Sequence, residues 1–310
     1  MRTRAGLAVV VAALLLGALF AATSLQGRPV GDPGPGAANS IASTTVVPEM
    51  VVEKVSDARF APGPDRPFFV AVIGNDARPG QSVSRADALH LIGVNPATGQ
   101  ATILNIPRDT YVELPGGGRD KINAANVRGG PVTTARALGQ LVGVDVSFVV
   151  STGFVGLAAM VDELGGVSVD VPVAMNDPLS GAIFPRGRVQ MSGAQALAFS
   201  RNRHLGGGDF TRSQDQGILI LAALTKLQGE GVNPANIVRW MGVLARHSRF
   251  DNVSLTELYR LGRVAASIDP GRVANITMPG RAGQAGAASV VFVGPEAPAL
   301  FAAFRDDGVV

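Results

Sequence analysis

Cysteine is absent from this 310-residue sequence, which excludes disulfides, thiolate metal sites and cysteine nucleophiles. There are only 3 histidines, His90, His204 and His247, and no H-E-x-x-H spacing, so a metal would have to rest mainly on oxygen. The sequence also lacks a P-loop, a G-x-G-x-x-G fingerprint and a G-x-S-x-G elbow, which leaves ATP-dependent chemistry unsupported. Charge is sparse at 16%, and 27 basic against 24 acidic residues leave a net +3, too small for a long electrostatic footprint. Arginines alternate with aspartates instead of forming a basic face, and no helix-turn-helix signal occurs, so nucleic acid is not an expected partner. At 46% hydrophobic the chain can still bury a sizeable core.

What is present begins with an address. Arg2 and Arg4 precede residues 5–27, which carry no charge and are long enough for a bilayer core that needs about 20 apolar residues. Positive charge before the span keeps the N-terminus cytoplasmic. The expectation is a single-pass cell-membrane anchor with the main domain extracytoplasmic. A cleaved signal is the alternative, because Ala21 and Ala22 could serve a peptidase, and it leads to the same side of the membrane. The expected organisation is an anchor at 1–27, a Gly/Pro-rich linker at 28–66 and a catalytic domain at 67–310.

Within that domain, apolar runs predict strands at 68–73, 88–94 and 101–106, the last two joined by a turn at 95–99. Helical spacing follows at 133–142 and 154–164, the latter stopped by Gly165 and Gly166. Further strands are expected at 144–150, 167–171, 273–278 and 289–293, and helices at 192–199, 211–227, 234–246 and 254–267. Thr211-x-x-Gln214 reads as a capping box opening the helix at 211–227. The alternation argues an α/β layered domain without fixing its topology.

Four charged clusters sit at the ends of apolar elements. The first contains Asp76 and Arg78, the second Arg85 and Asp87, the third Arg108, Asp109 and Lys121, and the fourth Arg201, Arg203, Asp209, Arg212 and Gln216. Arg201 and Arg203, two apart in an extended segment, would point to one side, and Arg212 and Gln216 would share a helix face. Converging guanidiniums imply a polyanionic guest or paired carboxylates. A helix N-terminus beside them suits phosphate. The third cluster is equally readable as a decorated hairpin, since Pro115 and Gly116 to Gly118 are turn-forming residues.

In order, these pieces resemble the LytR-CpsA-Psr family of cell-wall ligases: IGNDAR (73–78), RADA (85–88), IPRDTYVELPG (106–116), DKINAAN (120–126), SGAQALAFSRNR (192–203) and DFTRSQDQ (209–216), all within 68–227. The resemblance implies an α/β/α sandwich with a central mixed sheet. It implies a phosphotransferase moving a glycopolymer phosphate from a polyprenyl-pyrophosphate carrier to a peptidoglycan hydroxyl, with a pyrophosphatase side reaction. Asp76 and Asp87 would hold Mg²⁺ and, with Arg108 and Arg203, carry catalysis. Arg78, Arg85, Arg108, Lys121, Arg201, Arg203, Arg212 and Gln216 would bind the pyrophosphate. The base stays open among Asp76, Asp87, Asp109 and Asp209. Ala86 and Ala88 stand where the family pattern has hydroxyl residues. A non-catalytic glycan- or lipid-binding protein, or a transcriptional regulator, are the alternative functions.

Overall fold

The computed structural model describes residues 50–55, 66–75, 84–202, 205–230, 248–254 and 268–310, with 239, 243, 246 and 257 singly. The expected anchor, residues 28–49 and 56–65 of the expected linker, most of the helices expected at 234–246 and 254–267, and Asp76, Arg78 and Arg203 lie outside the described residues. The linker expected at 28–66 is corrected within it, because residues 50–54 form a strand paired on both sides in the central sheet. Among the described residues no helix is long and apolar enough to cross a membrane.

Fifteen strands and five helices follow one another along the described chain. They are β1 (Met50–Lys54), β2 (Phe68–Asn75), β3 (Ala86–Asn95), β4 (Gln100–Asn105), β5 (Tyr111–Glu113), β6 (Arg119–Lys121), α1 (Ala124–Val142), β7 (Val146–Gly153), α2 (Phe154–Glu163) and β8 (Val167–Val171). Next come β9 (Met175–Asp177), β10 (Ala182–Phe184), β11 (Gly187–Met191), α3 (Gly193–Arg201), α4 (Asp209–Gly229), β12 (Ser248–Asp251), β13 (Val273–Thr277), β14 (Gly280–Ala285), β15 (Ala288–Val293) and α5 (Ala297–Asp307).

Seven strands form one mixed sheet in the order β12-β1-β7-β2-β3-β4-β13. Strands β2 and β7 are parallel, as are β4 and β13, while β3 runs against both its neighbours. Side chains of a strand alternate between faces, and here both faces are apolar. On β2, Phe69, Ala71 and Ile73 join one core with Ala135, Leu138 and Val142 of α1 and Phe301 and Phe304 of α5. Phe68 and Val70 join the other, with Ile220 and Leu224 of α4. Two buried faces explain why these strands read as continuous apolar runs. A third cluster ties α2, α3 and β8–β11 to the remaining side of α4 through Leu219 and Ala222.

Three local expectations are corrected. Helix α1 starts at Ala124 instead of residue 133, because a first helical stretch precedes a kink at Gly129 and Gly130, where Gly130 takes φ 72° ahead of Pro131. Helix α4 starts at Asp209 after Gly207 and Gly208, both at positive φ, and Gly208 is its N-cap. Thr211 therefore does not cap it, and its hydroxyl instead donates to the Gly206 carbonyl at 2.5 Å. A capping box does occur at α3, where Ser192 and Gln195 satisfy each other's backbone amides.

Candidate functional site

The sheet brings described charged residues of the second, third and fourth clusters to one end of its strands. Strands β2, β4 and β13 end there and the antiparallel β3 begins there, with Asn75 opposite Ala86, and with Asn105 between His90 and Thr277. Asp76 follows Asn75 directly in sequence. Helix α4 crosses the same region and supplies its first turn.

Arg108 stands at the centre. Its guanidinium pairs with Asp87 through Nη1 and Oδ1, and its Nε lies 3.6 Å from Asp209 Oδ2 and 4.0 Å from Asp109 Oδ1. Burial works against its charge, but the carboxylates of Asp87, Asp209 and Asp109 outweigh it and hold the pKa above the ordinary arginine value. Asp209 is shared, since its Oδ1 lies 3.2 Å from Arg212 Nη2. Arg212, only 2% exposed, also donates to the Asp87 main-chain carbonyl at 3.4 Å. Lys121 Nζ is 3.3 Å from Asp109 Oδ2.

The sequence around these groups explains their placement. Strands β5 and β6 form a hairpin whose turn holds Gly116, Gly117 and Gly118 at φ 88°, 95° and 81°, values that disfavour any side chain. The hairpin returns Ile122 and Asn123 alongside Arg108 and Thr110 through Ile122 N to Thr110 O at 2.8 Å and Asn123 N to Arg108 O at 3.2 Å. The stretch is therefore a hairpin, and it carries charged residues at its base. Asn123 donates to Asp109 Oδ1 at 3.3 Å, and Asn126 donates to the Ser84 carbonyl at 2.7 Å, fastening the approach to Asp87.

Asp87, Arg108, Lys121 and Arg212 are thus brought together, joined by Asp109 and Asp209. Arg85 is exposed just before β3, and Arg201 is exposed at the end of α3. Arg201 is helical instead of extended, which corrects that expectation, and the chain leaves the helix at Asn202, whose ψ is 129°. Gln216 is buried, and its amide donates to the Ser200 carbonyl at 3.1 Å, which ties α4 to α3. Among the described residues no group of three or more metal-ligating side chains occurs. Asp87 offers hard carboxylate oxygens, partly open to solvent, of the kind Mg²⁺ prefers.

A second polar system lies behind the site. Buried His90 bonds through Nδ1 to Asn105 Oδ1 at 2.7 Å, and Asn105 donates to Asn275 Oδ1 at 2.6 Å. Asn275 donates to the Gln214 carbonyl at 3.1 Å, while Thr277 donates to Gln214 Oε1 at 2.8 Å. This chain of bonds locks α4 to β4 and β13, and so fixes where Asp209 and Arg212 stand. Sequence reading missed it, and the only signal was polar residues interrupting apolar strands.

The chain is an α/β domain in which buried Arg212 and half-buried Arg108 interleave with carboxylates where strands of the mixed sheet end. The chain belongs to the LytR_cpsA_psr family, whose model matches residues 39–301. It is 34% identical over 179 residues to the probable cell wall biosynthesis protein LcpB of Corynebacterium glutamicum, covering 53% of this chain and 43% of that protein. It is also 34% identical over 176 residues to the polyisoprenyl-teichoic acid–peptidoglycan teichoic acid transferase TagU of Bacillus licheniformis, covering 56% and 55%. The chain spans about half the length of these curated relatives. Among solved structures it is similar to Bacillus subtilis TagV, with a TM-score of 0.67, 24% identity and coverage of 79% and 98%. It is likewise similar to a LytR-Csp2A-Psr enzyme from Actinomyces oris, with a TM-score of 0.62, 26% identity and coverage of 78% and 93%.

Proposed function

We propose that this chain transfers a glycopolymer phosphate from a polyprenyl-pyrophosphate carrier to a hydroxyl of peptidoglycan, on the outer side of the membrane that its N-terminus anchors. The observation that carries this reading is the convergence of Arg108 and Arg212 on Asp209, at the sheet edge that also presents Asp87. The family and the printed names of the relatives, transferases acting between polyisoprenyl-linked teichoic acid and peptidoglycan, support it.

The chemistry is consistent with what the sequence lacks. A pyrophosphate anhydride already stores the free energy of transfer, so no ATP site is needed. The planar forks of Arg108 and Arg212 meet phosphate oxygens bidentately. In the free chain their charge is held by carboxylates, and an incoming diphosphate replaces those carboxylates as the partner. Lys121 adds positive charge beside Asp109, and the family resemblance assigns Arg78, Arg85, Arg201 and Arg203 to the same diphosphate. Asp76 and Asp87 would hold Mg²⁺, which supplies neutralisation of the charge on the diphosphate. The arginines stabilise charge that develops on the leaving lipid phosphate, usually the largest contribution in phosphoryl transfer. Water in place of the acceptor hydroxyl would give hydrolysis as a side reaction.

The test is a transfer assay with the full chain in vesicles, a lipid-pyrophosphate-linked glycan, Mg²⁺ and peptidoglycan fragments. Phosphodiester-linked product from the wild-type chain, lost in a folded Arg108→Ala variant, is the expected result. Binding of the donor with no product would favour a non-catalytic glycan- or lipid-binding role.

A further inference from the structure

Asp215 is 1% exposed, and among the described residues neither of its carboxylate oxygens has a hydrogen-bond partner. A buried polar group left in this state is costly and rare, and in native proteins it commonly marks a place where a ligand or water completes the bonding. Asp215 lies on α4, one helical turn beyond Arg212, and lines a cavity of about 570 Å³. That volume falls within the roughly 300–1,000 Å³ usual for small-molecule sites.

The walls define what the cavity can take. Pro172, Val173, Phe210, Met278 and Pro279 make most of it apolar. The ring of Phe210 is kept close to the β14 backbone by Gly280, where an added Cβ would come within 3.4 Å of that ring and 2.9 Å of the Phe292 carbonyl. Gln214 and Thr277 also line the cavity, but their side chains bond to each other at 2.8 Å, which leaves Asp215 as the unused acceptor.

Elimination narrows the occupant. A phosphate brings only acceptors and charge, and no Lys, Arg or His is present in the lining to meet them. A lipid chain would suit the walls yet leave Asp215 unsatisfied. A divalent cation needs several oxygen ligands, and here one carboxylate faces mainly carbon. A sugar ring meets both requirements, because its C–H faces pack on apolar and aromatic walls while its hydroxyls donate to a carboxylate. Burial also raises the Asp215 pKa to about 7, so near neutrality it can accept from or donate to a sugar oxygen.

Resting on the transferase reading above, we propose that this cavity is the acceptor subsite: it receives a pyranose unit of the peptidoglycan glycan, with Asp215 accepting a hydrogen bond from one of its hydroxyls. The subsite begins one helical turn from Arg212, so acceptor and donor phosphate are placed by the same helix. Val173, which is exposed, forms part of its rim.

The experiment is equilibrium titration of the full chain in detergent micelles with a fluorescent peptidoglycan tetrasaccharide and, separately, with a polyprenyl diphosphate. Asp215→Leu removes the carboxylate at similar volume, and Val173→Trp narrows the rim from an exposed position. Both variants are expected to raise the tetrasaccharide Kd at least tenfold and to leave the diphosphate Kd within about twofold. Unchanged tetrasaccharide binding in both variants overturns the proposal. A wild-type chain that binds the diphosphate but not the tetrasaccharide also overturns it and leaves the transferase reading standing, whereas a chain that binds neither overturns both.

Discussion

Arg212 of α4 donates from its guanidinium to the main-chain carbonyl of Asp87 at 3.4 Å, across 125 residues of sequence. This contact joins the helix that carries Asp209 to the strand that carries Asp87, and it is made by a side chain almost wholly withdrawn from water. One side chain thereby serves both the assembly of the site and its charge.

Arg212→Lys separates those two roles. Lysine keeps the positive charge but loses the rigid planar guanidinium whose Nη2 reaches both Asp209 and Asp87 and whose fork suits a phosphate. Transfer should fall by about a hundredfold, the usual scale for losing one preorganised donor at a developing anion. A thermal melt should show a small change, with the loss concentrated in kcat. An unchanged kcat would mean that Arg212 is structural only.

Two buried groups should give opposing pH dependences of stability. Burial lowers the His90 pKa from 6.5 to about 4, so between those values the unfolded chain binds the extra proton and stability falls as pH falls. Burial raises the Asp215 pKa from 3.8 to about 7, so the folded chain binds the extra proton and stability falls as pH rises through that window. Each slope is about 1.4 kcal/mol per pH unit, and across the overlap they largely cancel. Denaturant melts of Asp215→Asn should therefore lose stability in acid more steeply than wild type. His90→Gln should gain stability in acid relative to wild type. Parallel pH profiles for all three proteins would contradict these assignments.

Gly217 lies inside α4, where alanine is ordinarily better by about 1 kcal/mol. Here an added Cβ would collide with Asn275 Oδ1 and come within 2.7 Å of Asn105 Oδ1, in the network that docks the helix. Gly217→Ala should destabilise by about 1–3 kcal/mol, the usual cost of overpacking. Urea melts check this, and a stabilised variant would show that the helix can move away freely.

The strands of the central sheet were legible because both their faces are buried, which writes runs such as residues 68–73 plainly into the sequence. The charged residues were legible because they stand at the ends of those runs. Helix α5 was not, since Ala297–Asp307 is short and follows Pro295, and its helical fate depends on Phe301 and Phe304 packing on β2 and β3. The placement of Arg201 was missed because its helix runs further than its apolar spacing suggests. Asp215 and Gln216 adjoin in sequence, yet one lines a cavity and the other holds α3. Only the packing around α4 separates those fates.

At the centre of the proposed function, Arg108 and Arg212 exchange carboxylate partners for a lipid-linked diphosphate. A crystal structure of the chain with a short polyprenyl diphosphate and Mg²⁺ tests this most directly. Diphosphate oxygens are expected within hydrogen-bonding distance of both guanidiniums, with the Arg108–Asp87 pair opened. A diphosphate bound elsewhere, with that pair intact, would contradict the exchange.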